Sequence, residues 1–339
     1  AQQRAQALRY FNGEPYADEE SDRSTYITTE TYDVVSNAVA VAMQQFTESA
    51  ETVQFLPTSE EDEAAVADES DYVKHVFWEQ NDGFLALQEF CYDAGTCRTG
   101  IFCVEWDDNK VPGPPRWLEG LNDAQFAVLQ ADPSLQITGV EAIMIEGPMG
   151  VAQAYTVEVR EIVDKSKTSV RAVAPEYFVF DEDDPASFQN EDTRLTDTDL
   201  RQLRTEIYPE GVPQEIVDRL PVWDDITDSE VEESRDSDEE QNQMPYAPGN
   251  RPHKVKRSYL RADRNGDGIA ELIYCMWCGS DVLDIREVDR SPYVIGSMIV
   301  DPHKAAGNSY ADLVMADQYA SSMLARHGLD NVWEGINSE

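Results

Sequence analysis

The feature that most restricts this chain is its last third. A turn-forming run, Asp263-Arg264-Asn265-Gly266-Asp267-Gly268, sits between two strand-like stretches, 255–260 and 269–277, and predicts a hairpin. Punctuation follows at Ser291-Pro292-Tyr293, Asp301-Pro302-His303 and Gly307-Asn308-Ser309, and then a helical pattern runs from Tyr310 to about Asn331. A strand pair that hands over to one long amphipathic helix is an architectural element. It shows no nucleophile, metal cage or phosphate loop, and points towards assembly.

Charge narrows the partners. Sixty-seven acidic residues against 26 basic ones give a formal net charge of −41 over 339 residues. Such a surface repels phosphates and disfavours tight nucleic-acid binding by counterion release, without excluding DNA as a cargo that must not stick. Halophile-like solubility and self-repulsion that delays association are the competing readings. Hydrophobic residues make up 41% and aromatic ones 9%, enough for folded cores. Cys91, Cys97, Cys103, Cys275 and Cys278 form an odd, irregularly spaced set, which predicts reduced thiols of a cytosolic setting. No run approaches the roughly 18–20 apolar residues that span a bilayer, and no signal peptide is evident. The chain starts without Met and stops shortly after a helix, so a trimmed piece of something longer is expected.

Periodicity predicts an α+β organisation. Val34, Val35, Ala38, Val39, Ala42, Met43 and Phe46 share a face of a helix capped by Thr28 or Thr29. Val53, Phe55 and Pro57 suggest a short strand. An acid-started helix from Ser59 is expected to turn Ala64, Ala67, Tyr72, Val76 and Phe77 inward. A helix over Phe84–Ala94, the strand Gly100–Trp106, a helix over Leu121–Leu129 and strands at Gln136–Ile145, Ala154–Asp164 and Ser169–Ala174 follow, the last three in a mixed, mainly antiparallel sheet. Thr196 or Asp197 is expected to cap a helix over Thr198–Ile207. The stretch 228–243 is acidic and polar, and reads as an exposed insert.

Several motifs compete with blander readings. Asp263, Asn265, Asp267, Gly268 and Glu271 imitate the first nine positions of an EF-hand calcium loop, but Tyr274 holds the twelfth place and the flanks are strands. A bare turn accounts for the same residues. Cys275-Met-Trp-Cys278 has CxxC spacing with no second half, and residues three apart in a strand face opposite ways, so structural thiols are expected. Carboxylate pairs such as Asp107-Asp108 and Asp224-Asp225 are too common here to signal acid–base chemistry. On the final helix, Leu313, Val314, Ala320, Met323, Leu324 and Leu329 could line a monomer core. Asp312, Asp317, Gln318, Arg326 and Asp330 line the other side, which equally suits ion pairs between identical subunits.

Three ordered stretches carry a resemblance. They are Arg23-Ser24 through Glu61-Asp62-Glu63-Ala64; Asn81-Asp82-Gly83-Phe84 through Trp106; and Asp263–Gly268, Glu271, Pro292 and Gly307–Asp312 through Asp317-Gln318, Arg326 and Leu329-Asp330-Asn331. The chain resembles bacteriophage portal, or head–tail connector, proteins, in particular the P22-like podovirus type. The resemblance implies a non-enzymatic, cofactor-free subunit of a homo-oligomeric ring, usually of twelve, at one capsid vertex of a virion assembled in the host cytoplasm. Double-stranded DNA would pass through its tunnel without tight binding. A terminase motor, a tail adaptor and the major capsid protein would dock on it, with no membrane involved. It implies a wing over 1–180, a first stem helix region over 181–208 and a clip over 209–306, the clip holding the insert 228–243 and the hairpin 255–285. A second stem helix would span 307–335, the C-terminal wing and crown of the family lying outside this chain. Asp312, Asp317, Gln318, Arg326 and Asp330 become expected stem or subunit-interface residues. A calcium-dependent acidic binding or adhesion module built on Asp263, Asn265 and Asp267 is the alternative, and a hydrolase with buried carboxylates a third.

Overall fold

The structure, a computed structural model, describes residues 2–16, 23–48, 54–57, 63–132, 134–147, 150–223, 246–247 and 249–337. The chain divides into two compact units, one of residues 1–104 with 170–339 and the other of residues 105–169. The expected insert 228–243 lies outside the described residues.

In the first unit, α1 (Gln2–Asn12), α2 (Glu30–Glu48), α3 (Glu63–His75, continued by a π-turn to Gln80) and α4 (Gly83–Cys97) precede the strands. Val35, Val39 and Met43 of α2 recur every fourth residue and pack on Leu87 and Cys91 of α4. The buried stripe is narrower than the sequence pattern suggested. Val34 and Phe46 flank it and are exposed, and on α3 so are Ala67 and Tyr72, while Val76 is buried. Residues 54–57, expected as strand, have no regular structure.

Two sheets follow in the same unit. One has the order β12-β1-β6, from β1 (Gly100–Asp107), β6 (Lys167–Ala172) and β12 (Tyr293–Gly296). The other runs β11-β10-β9-β8-β7, from β7 (Phe178–Phe180), β8 (Phe188–Thr196), β9 (Pro252–Ala262), β10 (Glu271–Cys278) and β11 (Asp281–Glu287). Its described pairs are all antiparallel. Phe178, Leu200, Val217, Val255 and Leu283 fill its core.

This sheet runs continuously across the expected divisions at 180/181 and 208/209. Where a first stem helix was expected, 181–208 holds β8 and the short α6 (Asp197–Gln202). Thr196 does cap α6, through a capping box with Asp199, but the helix ends six residues on instead of at Ile207. The four-residue α7 (Gln214–Val217) comes next.

The second unit interrupts the expected wing. It comprises β2 (Lys110–Pro112), β3 (Arg116–Leu121), α5 (Asp123–Ala131), β4 (Leu135–Gly147) and β5 (Gly150–Asp164). β4 and β5 form a long antiparallel hairpin, and β2 and β3 also pair antiparallel with β5. The expected mixture with parallel strands is therefore absent from the described pairs. An Asn122–Gln125 capping box starts α5, whose Phe126 stacks on Tyr155 of β5 with ring centroids 4.7 Å apart. Val157 and Val159 supply the buried line.

Candidate functional site

The last helix, α8 (Tyr310–Asn337), is longer than the sequence pattern suggested and is oriented inside out. Its start is a reciprocal cap. Asp312 N–H donates to Ser309 Oγ at 3.0 Å, and the Asp312 carboxylate accepts from the Ser309 N–H and hydroxyl at 3.1 and 2.7 Å. The same carboxylate takes a bidentate pair from Arg98, at 2.7 and 2.9 Å. Arg98 ends α4 with a φ of 74°, a left-handed conformation that a bulky side chain adopts only when its surroundings hold it there.

Further along, Gln318 is fully buried. Its Oε1 accepts the Thr31 N–H at 2.8 Å and its Nε2 donates to the Tyr10 carbonyl at 3.0 Å, so one amide joins the end of α1 to the start of α2. Ser322 Oγ accepts the Thr28 N–H at 3.0 Å and lies 3.1 Å from the Tyr16 hydroxyl. Arg326 Nε donates to the Tyr26 carbonyl at 2.9 Å, and its guanidinium lies over the Tyr16 ring, 5.2 Å from the centroid. Asp330 accepts the Ser24 N–H at 2.7 Å.

The polar side of α8 is thus a seam that ties down Tyr10, Tyr16, Ser24, Tyr26, Thr28 and Thr31 of the same chain. Of the five residues that the sequence singled out, Asp312, Gln318, Arg326 and Asp330 work inside the subunit and Asp317 lies exposed. Sequence reasoning missed Arg98 and Ser322. The Ser309-x-x-Asp312 spacing was the visible signal for the cap; nothing local marks Arg98 as its partner.

The apolar side faces out. Leu313, Leu324, Leu329, Val332, Trp333 and Ile336 are all exposed, Leu324 to 75% and Trp333 to 65%. Val314 and Met323 are half-buried, so only part of the expected core set packs inward. Leu329, Val332, Trp333 and Ile336 repeat at helical spacing of three, one and three, forming a continuous apolar surface over the last two turns. Exposed apolar residues in such a line mark an interaction surface.

Burial opposes the charged form of Asp312, but the hydrogen bonds from Arg98 and Ser309 outweigh it and hold the carboxyl below the usual carboxylate range. A carboxylate depressed on folding stabilises the fold above its unfolded pKa of about 4 and loses that contribution as pH falls through its folded value. The stability gap between the wild type and Asp312→Asn should therefore be constant above about pH 5 and narrow below about pH 4. Urea unfolding across this range measures it; a gap independent of pH would remove Asp312 from the seam's charge balance.

Two more polar centres hold the first unit. Glu191 of β8, 3% exposed, takes a bidentate pair from Arg171 of β6 at 2.5 and 2.8 Å and the Tyr293 hydroxyl of β12 at 2.6 Å, with Arg257 of β9 at 3.6 Å. It fastens one sheet to the other. Fully buried His253 bonds Asp197 at 2.7 Å and the Pro221 carbonyl at 3.0 Å, and Arg251 bridges Asp197 and Asp218 at 2.9 and 2.8 Å. This cluster holds the chain on either side of 224–245.

The hairpin turn places Asp263, Asp267 and Glu271 oxygens within 4.8 Å of one another. Asp263 already accepts the Gly266 and Gly268 N–H groups at 2.6 and 2.8 Å, and Asn265 bonds Glu271 at 2.7 Å. Tyr274, at the EF-hand's twelfth position, is buried in β10. The carboxylates thus serve as turn acceptors, the simpler of the two sequence readings. Cys278 is buried, and burial followed by nearby Asp281 pushes its thiol up to about 11; Cys275 is also raised, by burial and then Asp284. Thiols so raised are poor nucleophiles. No described helix is long and apolar enough to cross a membrane.

A subunit sealed inside by polar contacts and apolar along an exposed helix is the kind of protein that associates. The chain belongs to the family described as Phage SU10 portal protein, which matches residues 1–339. It is a phage portal protein, a structural component of the capsid vertex of the virion. The portal class suggested by the sequence is borne out, through the SU10 type. Comparison with curated proteins returns no match. One aligned solved structure is that of a protein in the glycosyl hydrolase family 38 from Enterococcus faecalis, at 10% identity and a TM-score of 0.10. The alignment takes in 86% of this chain and 42% of that one, and a score so low carries no argument.

Proposed function

We propose that this chain is one subunit of a closed homo-oligomeric ring, of about twelve copies, around a tunnel for double-stranded DNA during packaging and ejection. The exposed apolar side of α8 carries the reading, together with the family match across the whole chain. A helix that spends its polar groups inside the subunit leaves its apolar residues for neighbours, and burying them offers about 25 cal/mol per Å². In this reading α8 is the stem helix expected over 307–335, and residues within 209–306 form the clip. The terminase, a tail adaptor and the major capsid protein dock on the ring, in the manner of the P22-like podovirus type, and assembly takes place in the host cytoplasm.

The charge of −41 supports a tunnel without attractive stopping points for a phosphate backbone. Native mass measurement and negative-stain imaging test the ring. Assemblies of about twelve times the 38.2 kDa subunit mass are expected, and a lone subunit at every concentration and salt would overturn the reading. Duplex DNA should bind weakly even at low salt. Sub-micromolar affinity at moderate ionic strength would remove the sliding-tunnel part.

A further inference from the structure

In a chain so acidic, one cleft of the first unit runs the other way. It has a volume of about 720 Å³ and is lined by residues of β9, β10 and β12 and the turns beside them. Leu272, Ile295 and Val300 give it apolar walls. Arg261, Arg290 and Lys304 contribute cations, against Asp289 and Asp301. Asp301 is engaged by Lys304 at 2.5 Å, whereas Arg261 and Arg290 have no carboxylate partner among the described residues. Gln189 also lines the cleft and is only 6% exposed. One end of its amide bonds the Ser291 hydroxyl, and the other end has no partner among the described residues, whichever way the amide is turned. An amide end left open to the cleft, beside two guanidinium groups without carboxylate partners, suits a peptide that brings carboxylates and backbone groups.

The same sequence contains such a peptide. Residues 228–243 hold eight carboxylates, from Asp228 to Glu240, against one cation, Arg235. We propose that this cleft receives the acidic segment 228–243 of a second copy of the chain. The inference rests on the ring reading and deepens it. Neighbours of net charge −41 repel one another, and an anionic segment in a neighbour's cationic cleft offsets that repulsion where the surfaces meet. Cleft and segment are different surfaces of one subunit, so their pairing is head-to-tail, the contact type that closes rings.

Two full-length variants test it: Arg261→Glu with Arg290→Glu, and a chain in which the eight carboxylates of 228–243 become their amides. Both arginines are exposed, so circular dichroism and the thermal midpoint should match the wild type. Each variant alone should need at least about tenfold more protein to assemble, read by native mass against concentration. An equimolar mixture should form a heterodimer, because one variant keeps the cleft and the other keeps the segment. A synthetic 228–243 peptide should bind the wild type and not the cleft variant. If the wild type forms rings and both variants assemble equally well, the cleft contact is wrong and the ring stands. If assembly weakens but the mixture yields no pair, the segment occupies its own subunit's cleft and the proposal is overturned. If the wild type never assembles, the ring reading fails, and absence of peptide binding then removes the cleft as well.

Discussion

Glu191→Ala should destabilise the subunit by about 3–5 kcal/mol, among the largest losses available from a single side chain. Glu191 pairs with Arg171 and Arg257 together, and both guanidinium groups lose it at once. Arg257 is the more enclosed of the two and cannot readily turn to water. The Tyr293 hydroxyl loses its acceptor in the same step; burial, and then the charge of Glu191, push that phenol far up, so it remains a donor at any ordinary pH. The damage falls where the two sheets of the first unit meet. Glu191→Gln keeps the shape and one acceptor but removes the charge, so it should fall between wild type and Ala. Tyr293→Phe should cost about 1 kcal/mol, the scale of one hydrogen bond. Urea unfolding of the three variants checks the order. A loss for Glu191→Ala no greater than for Tyr293→Phe would mean that the ion pairs contribute nothing net, as happens when desolvation cancels attraction.

The same residue shows why β8 was hard to see. A half-buried strand announces itself by alternating apolar residues, but the buried positions of β8 are Gln189, Asn190 and Glu191. Their partners, Ser291, Ser258 and Arg171, come from distant parts of the chain, so a reading of local hydrophobicity drew only the acidic turn and a capped helix there. Thr196 and its capping box were legible because cap chemistry is local; the end of α6 was not, because Thr205 and Glu206, just beyond it, bond to Leu283 and Asp284 of the distant β11. In α2, the every-fourth-residue recurrence of Val35, Val39 and Met43 was plain, and its width was overread. The α8 pattern was correct in period and ambiguous in phase. Periodicity tells that a helix has two faces, and only the partners of Gln318, Ser322 and Arg326 tell which one points inward. The separate unit 105–169 carried no composition shift, so nothing in the sequence divided it from its flanks.

Gln318→Leu should cost about 2–5 kcal/mol although it replaces a buried polar side chain with an apolar one of similar size. Leucine would leave the Thr31 N–H and the Tyr10 carbonyl without their shared partner, and each unpaired buried group carries a penalty of about 1–3 kcal/mol. Thr31 lies in the first turn of α2, where backbone N–H groups have no partner within the helix, so water or Gln318 must supply one. Gln318→Glu separates the two bonds. A carboxylate still accepts from Thr31 but sets an oxygen against the Tyr10 carbonyl, whereas a protonated carboxyl can donate to it. The Gln318→Glu deficit should therefore shrink as pH falls and the new side chain takes up its proton, while the Gln318→Leu deficit should not follow that course. Hydrogen exchange gives the spatial readout, with loss of protection centred on the start of α2 in both variants at neutral pH. Equal deficits for Leu and Glu at every pH would show that packing around residue 318, not its two hydrogen bonds, holds α8 against the N-terminal segments. In that case the outward display of Leu313, Leu324 and Trp333 would follow from shape alone, and the polar seam would not be what sets the association surface.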